Sequence, residues 1–288
     1  FYRGQLQELG GPDFKGSNPF ALQMGVALAF TAAAFLRGKL AVRICLALVA
    51  SMILNTIIMT RGRGAFLALI AGAITALVSV ARTKRRIVVI ALLLGVVSLV
   101  RLADVGYWQR IVTIKTVEDR SALSRFEVWK AGLTMLKDYP LGVGPGNFSV
   151  VIGNYDRRHV GRDAHNTFVR CACELGLPGL VMLVVILGKA YVRMWRVREF
   201  VSRNPRYEEV GLGALALLVA ITIYLVGGLT STMLYVEGMW WLMGLAISLG
   251  RIVDNLAAEK SGEIRTSKDR SISPGMGNSY NHLEAKEG

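Results

Sequence analysis

Apolar residues run along this chain in long, nearly unbroken blocks separated by short polar gaps. A helix that crosses a bilayer needs about 20 such residues, with roughly 17 to 25 usual. Blocks of that kind stand at 20–36, 40–60, 65–81, 87–100, 171–188, 211–229 and 239–250. The fourth is short unless it runs on to 105, and the seventh is short unless it begins near Tyr235. The pattern predicts an all-α fold, a polytopic transmembrane helical bundle of about seven spans with one long extracytoplasmic loop. The expected organisation is an outer segment over 1–19, four spans within 20–100, a catalytic loop over 101–170 and three spans within 171–250. The polar stretch 251–288, rich in Ser, Gly, Lys and Glu, is expected to be a disordered cytoplasmic tail.

Charge sharpens this picture. The formal charge is +14, from 34 Lys and Arg against 20 Asp and Glu, in a chain that is 53% hydrophobic. In a soluble protein that balance would suggest nucleic acid. Here the bases lie mostly in the gaps between apolar blocks, and no span interleaves basic and aromatic residues, so membrane lipids are the expected surroundings and nucleic acid is not a partner. The basic gaps at 37–43, 82–86 and 189–210 alternate along the chain and are therefore expected on the cytoplasmic side. The turns at 61–64 and 230–238 and the loop 101–170 then face outside. Past Arg43 no ionisable residue lies deep in a block, which weakens a transporter reading. Cys171 and Cys173 form a C-x-C without the second pair that a structural zinc site needs, and read as small buried residues at the start of a span.

The chemistry is expected in the long loop. The segment 121–138 predicts a helix in which Ser124 and Glu127 have the spacing of a capping box, with Phe126, Val128, Trp129, Leu133 and Leu136 on one apolar stripe. It is expected to lie on the membrane surface or against the ends of the spans. Arg125 would open that helix, where free backbone N–H groups and the planar guanidinium suit phosphate. Read alone, a solvated surface charge explains Arg125 better. The glycine-rich run 141–148 has no Gly-Lys-Ser/Thr and is not a P-loop; it predicts a tight bend. His165, in Asp163-Ala164-His165-Asn166 at the edge of the fifth block, has the chemistry of a general base. Read alone, a capping or solvated pair explains that segment better. Arg61 and Arg63 either snorkel to the interface or supply a second phosphate-binding arm.

Taken in order, these residues resemble the O-antigen ligase and polymerase family of bacterial membrane proteins. The matching pieces are Arg61-Gly62-Arg63-Gly64-Ala65, Ser124-Arg125 with Trp129 one turn on, the run 139–148, and His165-Asn166-Thr167-Phe168 leading to Glu174-Leu175-Gly176-Leu177-Pro178-Gly179. The resemblance covers roughly residues 50–190. It implies a multi-pass glycosyltransferase of the bacterial inner membrane with its catalytic loop facing the periplasm. The donor would be a saccharide on undecaprenyl diphosphate, and the acceptor a hydroxyl of lipid A–core, another glycan or a protein. It implies no cofactor and no metal, and displacement with inversion. It assigns Arg63, Arg125 and His165 to catalysis, Arg61, Arg63 and Arg125 to the donor diphosphate, and Trp129, Asn166 and Glu174 to support. A polymerase, a protein O-oligosaccharyltransferase and a non-catalytic transport or assembly protein are the alternatives. With fewer spans than is usual in that family and a start at Phe1, the chain is expected to be a fragment or a short member.

Overall fold

A computed structural model describes residues 16–102 and 120–272, and among these the chain is helical with no strand. Four helices come first: α1 Ser17–Phe35, α2 Leu40–Thr60, α3 Arg63–Ser79 and α4 Arg85–Leu102. The loop supplies α5 Arg120–Asp138 and the short α6 Phe148–Val151. Three long helices follow: α7 Thr167–Arg203, α8 Glu208–Gly227 and α9 Glu237–Ile272. Each predicted apolar block has thus become a helix. Five of them, α1, α2, α7, α8 and α9, are long and apolar enough to cross a membrane. Helix α3 is apolar but only 17 residues long, and α4 carries Arg85, Arg86 and Arg101 at its ends.

Helix α8 is the centre of the bundle and packs against α1, α3, α7 and α9. Its Ala214, Leu218, Ile221 and Tyr224 are buried. Apolar burial does little to join helices in lipid, so close backbone approach and interhelical hydrogen bonds matter more. Gly72 of α3 supplies the first, since a Cβ there would lie 3.0 Å from Ile223 Cγ1. The Thr75 and Thr222 hydroxyls supply the second, 3.2 Å apart. Helix α2 lies at the edge, with Leu40, Val42, Ile44, Leu48 and Met52 exposed.

The loops sort to two ends of the bundle. At one end Lys84 donates to the Leu36 carbonyl at 3.1 Å and pairs with Glu208 at 2.6 Å. There too Arg37 pairs with Glu209, and Arg198 donates to the Ser79 carbonyl at the end of α3. The three basic gaps are therefore neighbours. At the other end Gly62 and Gly64 lie against Asn18 at the start of α1, and Gly64 also lies against Thr230. Thr167 donates to the Ser231 carbonyl at 2.9 Å. The two ends are separated by the length of α1, about 28 Å at 1.5 Å per residue.

One expectation needs correction. The stretch from 251, expected to be disordered, continues α9 as helix to Ile272. Its Leu256-Ala257-Ala258-Glu259-Lys260 are strong helix formers, so a polar composition does not end the helix there. The rest of that tail, most of the 1–19 segment, the extension of the fourth block to 105 and the first part of the loop lie outside the described residues.

Candidate functional site

The loop is built onto the broken start of α7. At Gly176 the backbone leaves the helix with φ 71°, and Leu177-Pro178 starts a new helical stretch in the same direction of sequence. Such a break strands carbonyls that would otherwise bond along the helix. The glycine-rich run satisfies them: Val143 N–H donates to the Cys173 carbonyl at 3.0 Å and Gly144 N–H to the Glu174 carbonyl at 2.9 Å. In return Leu177 N–H donates to the Pro140 carbonyl at 3.0 Å. Gly142 has φ 87°, a conformation that L side chains rarely adopt. The two glycine motifs are thus halves of one joint, a partnership the predicted tight bend did not contain.

Helix α5 lies across this joint. It runs from Arg120, within one residue of the expected 121, so Ser124 is inside the helix and the expected capping box with Glu127 does not form. The Ser124 hydroxyl instead accepts from Arg162 and lies 3.4 Å from His159 Nε2. Arg125 is likewise in the second turn of the helix, and not beside its free N–H groups. The buried stripe is Val128, Gly132 and Met135, while Phe126 and Leu133 face outward. Gly132 decides this, because its bare face lets the Cys173 thiol reach the Gly132 carbonyl at 3.2 Å. Val128, Met135, Phe148, Ile152, Ala164 and Cys173 form the small core beneath.

His165 stands at the rim of this core. Trp129 Nε1 donates to the Ala164 carbonyl at 2.8 Å and holds the chain one residue before it. Asn166 caps α7: its Oδ1 accepts from the Phe168 and Val169 N–H groups at 2.9 and 3.1 Å, and its Nδ2 donates to the Leu229 carbonyl at 3.3 Å. Between these fixed points His165 has φ 47°, and its N–H donates to Asp163 Oδ2 at 3.1 Å. A non-glycine residue held in this region costs of order 1 kcal/mol or more and is met most often at working sites. The ring is half exposed. Desolvation by its neighbours pushes the His165 pKa below the ordinary value; Arg125 and Arg162 add to that, and Asp163 opposes them. The shift favours the uncharged imidazole, the form able to accept a proton.

Behind His165 lies a polar chain. Asp163 accepts from Arg170 at 2.9 Å and from the Thr232 hydroxyl at 2.6 Å. Arg170 Nε also donates to Glu174 at 2.9 Å. Glu174 is buried and accepts in addition from the Phe148 N–H at 3.1 Å and from the Tyr235 hydroxyl. The Arg170 guanidinium lies over the Tyr235 ring, 5.2 Å from its centroid. Burial and the Glu174 carboxylate push the Tyr235 pKa up to about 12, which keeps it a donor. Sequence reasoning missed Arg170, Thr232 and Tyr235. The spacing of Arg170 and Glu174 on one helical face was a signal for that pair; nothing in the sequence tied Thr232 or Tyr235 to them.

The structure thus gathers Arg125, Trp129, His165, Asn166 and Glu174 around the start of α7. Arg61 and Arg63 flank the turn between α2 and α3, where Arg61 has φ 49° and Arg63 opens α3. That turn meets the 227–232 turn through Gly64 and Thr230, and the 227–232 turn holds Asn166 through Leu229. Glu127, Asp156 and His159 form a separate cluster able to hold a metal by distance. Arg158, however, donates to both oxygens of Asp156 at 3.0 and 2.8 Å and lies 3.7 Å from Glu127, so a guanidinium already balances that charge.

A family model described as O-antigen ligase matches residues 47–184. No curated protein matches the chain. The matched stretch contains Arg61, Arg63, Arg125, Trp129, His165, Asn166 and Glu174, and ends before Thr232 and Tyr235.

Proposed function

We propose, on the premise that residues 47–184 belong to the O-antigen ligase family, that this multi-pass membrane protein is a glycosyltransferase. It moves a saccharide from undecaprenyl diphosphate to an acceptor hydroxyl on lipid A–core or on another glycan. The observation that carries the reading is His165. It is held in a left-handed turn beside Asp163, and its surroundings favour the uncharged ring.

In this reading His165 accepts the proton of the attacking hydroxyl. The oxygen attacks the anomeric carbon as the bond to the diphosphate oxygen breaks, and the configuration inverts. Arg125 and Arg63 bind the diphosphate and stabilise the charge that grows on it, with Arg61 assisting. Trp129 and Asn166 fix the turn that presents His165, and Glu174 fixes the joint beneath it. The reaction needs no metal. The end of the bundle that carries this site faces the periplasm, and the end that gathers the basic gaps faces the cytoplasm of the inner membrane.

Complementation of a strain lacking this gene tests the assignment. Arg125→Ala and His165→Ala, expressed at the wild-type level, lose glycan transfer. Full transfer by both variants would sink the enzymatic reading and leave a non-catalytic assembly role. The glycan banding pattern of the deletion strain separates the acceptors. Loss of attachment with polymer retained on the lipid carrier marks a ligase; loss of polymer length with single units retained marks a polymerase.

A further inference from the structure

Asp163 makes more contacts than a helix-capping residue needs. Oδ1 accepts from Arg170 at 2.9 Å. Oδ2 accepts from the His165 N–H at 3.1 Å and from the Thr232 hydroxyl at 2.6 Å, and lies 3.5 Å from His165 Nδ1. The carboxylate is therefore fixed from three directions before it meets the imidazole. Arg170 is itself fixed by buried Glu174, which also binds the Tyr235 hydroxyl and the Phe148 N–H.

We propose that Asp163 is a positioning residue for His165, holding the ring proton on Nδ1 and leaving Nε2 as the proton acceptor, and that the Arg170–Glu174–Tyr235 chain fixes Asp163 for this purpose. The inference deepens the glycan-transfer reading and rests on it. A neutral imidazole carries one proton on either nitrogen, and the hydrogen bond made by one nitrogen decides which. An Nδ1–H beside a carboxylate is favoured; a lone pair there would face negative charge. Nδ1 is the ring nitrogen that meets the carboxylate, at a 3.5 Å separation that is longer than a hydrogen bond. Charged and titratable groups meet His165 from each element around it: Arg125 on α5, Arg162 and Asp163 in the preceding turn, Arg170 and Glu174 on α7 behind Asp163, and Tyr235 before α9. Asp163 is the carboxylate next to the ring, 3.5 Å from Nδ1.

The chain has three histidines, so ¹⁵N-histidine labelling of the full protein in nanodiscs resolves the ring directly, with His165→Gln assigning its signals. The expected result is an Nδ1–H tautomer in the wild type. In Asp163→Asn the ring pKa falls and the tautomers mix, and Asp163→Glu restores the wild-type pattern. With undecaprenyl-diphosphate-linked glycan as donor, Asp163→Asn lowers kcat by roughly 10- to 100-fold, the cost usual for such supporting partners. KM for the donor changes little, and the acid limb of the rate profile moves to lower pH. An Nε2–H wild-type ring, or a tautomer indifferent to Asp163→Asn, overturns the proposal. Absence of transfer by the wild-type protein would instead overturn the glycan-transfer reading, and full transfer by His165→Gln would overturn His165 as the base; the tautomer measurement touches neither.

Discussion

Gly142 and Gly176 meet backbone to backbone. A Cβ on Gly142 would lie 2.5 Å from the Gly176 nitrogen, and a Cβ on Gly176 would lie 2.5 Å from the Pro140 carbonyl oxygen. Both residues also have positive φ, 87° and 71°. No rotamer change relieves such a clash, because the opposing atoms are main chain. Gly142→Ala and Gly176→Ala are each expected to destabilise the folded protein by about 2–4 kcal/mol, from overlap plus left-handed strain. The melting temperature in detergent checks this. A shift of less than about 2 °C for both would mean that the joint is looser than its contacts imply.

Gly64 is the corresponding point for the arginine turn. A Cβ there would lie 2.8 Å from Thr230 Cβ and closer still to its hydroxyl. Gly64→Ala is expected to push the 61–64 turn away from the 227–232 turn and to cut transfer at least tenfold through a higher donor KM. Unlike the previous pair, the obstacle is a side chain. Thr230→Gly added to Gly64→Ala should therefore recover most of the loss, a coupling seen as non-additivity in the double-mutant cycle. Additive losses would show that the two turns do not communicate.

The pH profile follows from the surroundings of His165. Its pKa lies below the usual histidine value of 6.5, through desolvation first and the two arginines after it. The base is unprotonated above its pKa, so the acid limb of transfer should have its midpoint below pH 6.5. Arg125→Met removes one of the charges that disfavour the imidazolium. The pKa then rises, and the acid limb of kcat against pH should move upward, whatever the drop in absolute rate. An acid limb that does not move would place Arg125 too far from the ring to act on it.

Much of the fold was legible because lipid imposes a simple rule. Every spanning backbone must satisfy itself, so apolar length alone marks the helices. That rule found all the apolar blocks and kept the basic gaps together. It could not find the break at Gly176, because Glu174-Leu175-Gly176-Leu177-Pro178-Gly179 keeps its apolar character through the break. The glycine that ends one helix is conspicuous only beside Gly142, 34 residues earlier. The residues proposed for the site, Arg125, His165 and their ordered neighbours, stood out in the sequence because their chemistry is local. The cap of α5 was misread because Ser124 and Glu127 have the right spacing for a capping box that the helix passes through. Thr232 and Tyr235 were out of reach, since contacts across about 60 residues leave no trace in a single sequence.

The polar chain behind His165 also fixes an order of assembly. A protein made from its N-terminus releases the arginine turn first, the loop next and Tyr235 late. Glu174 is buried, and until Tyr235 arrives its carboxylate lacks one of its donors. A nascent chain that ends before residue 232 already holds the α5 helix, the glycine joint and His165, yet lacks the hydroxyls that lock Asp163 and Glu174. The site proposed around His165 is therefore completed by a segment that lies outside the matched residues and is made after them.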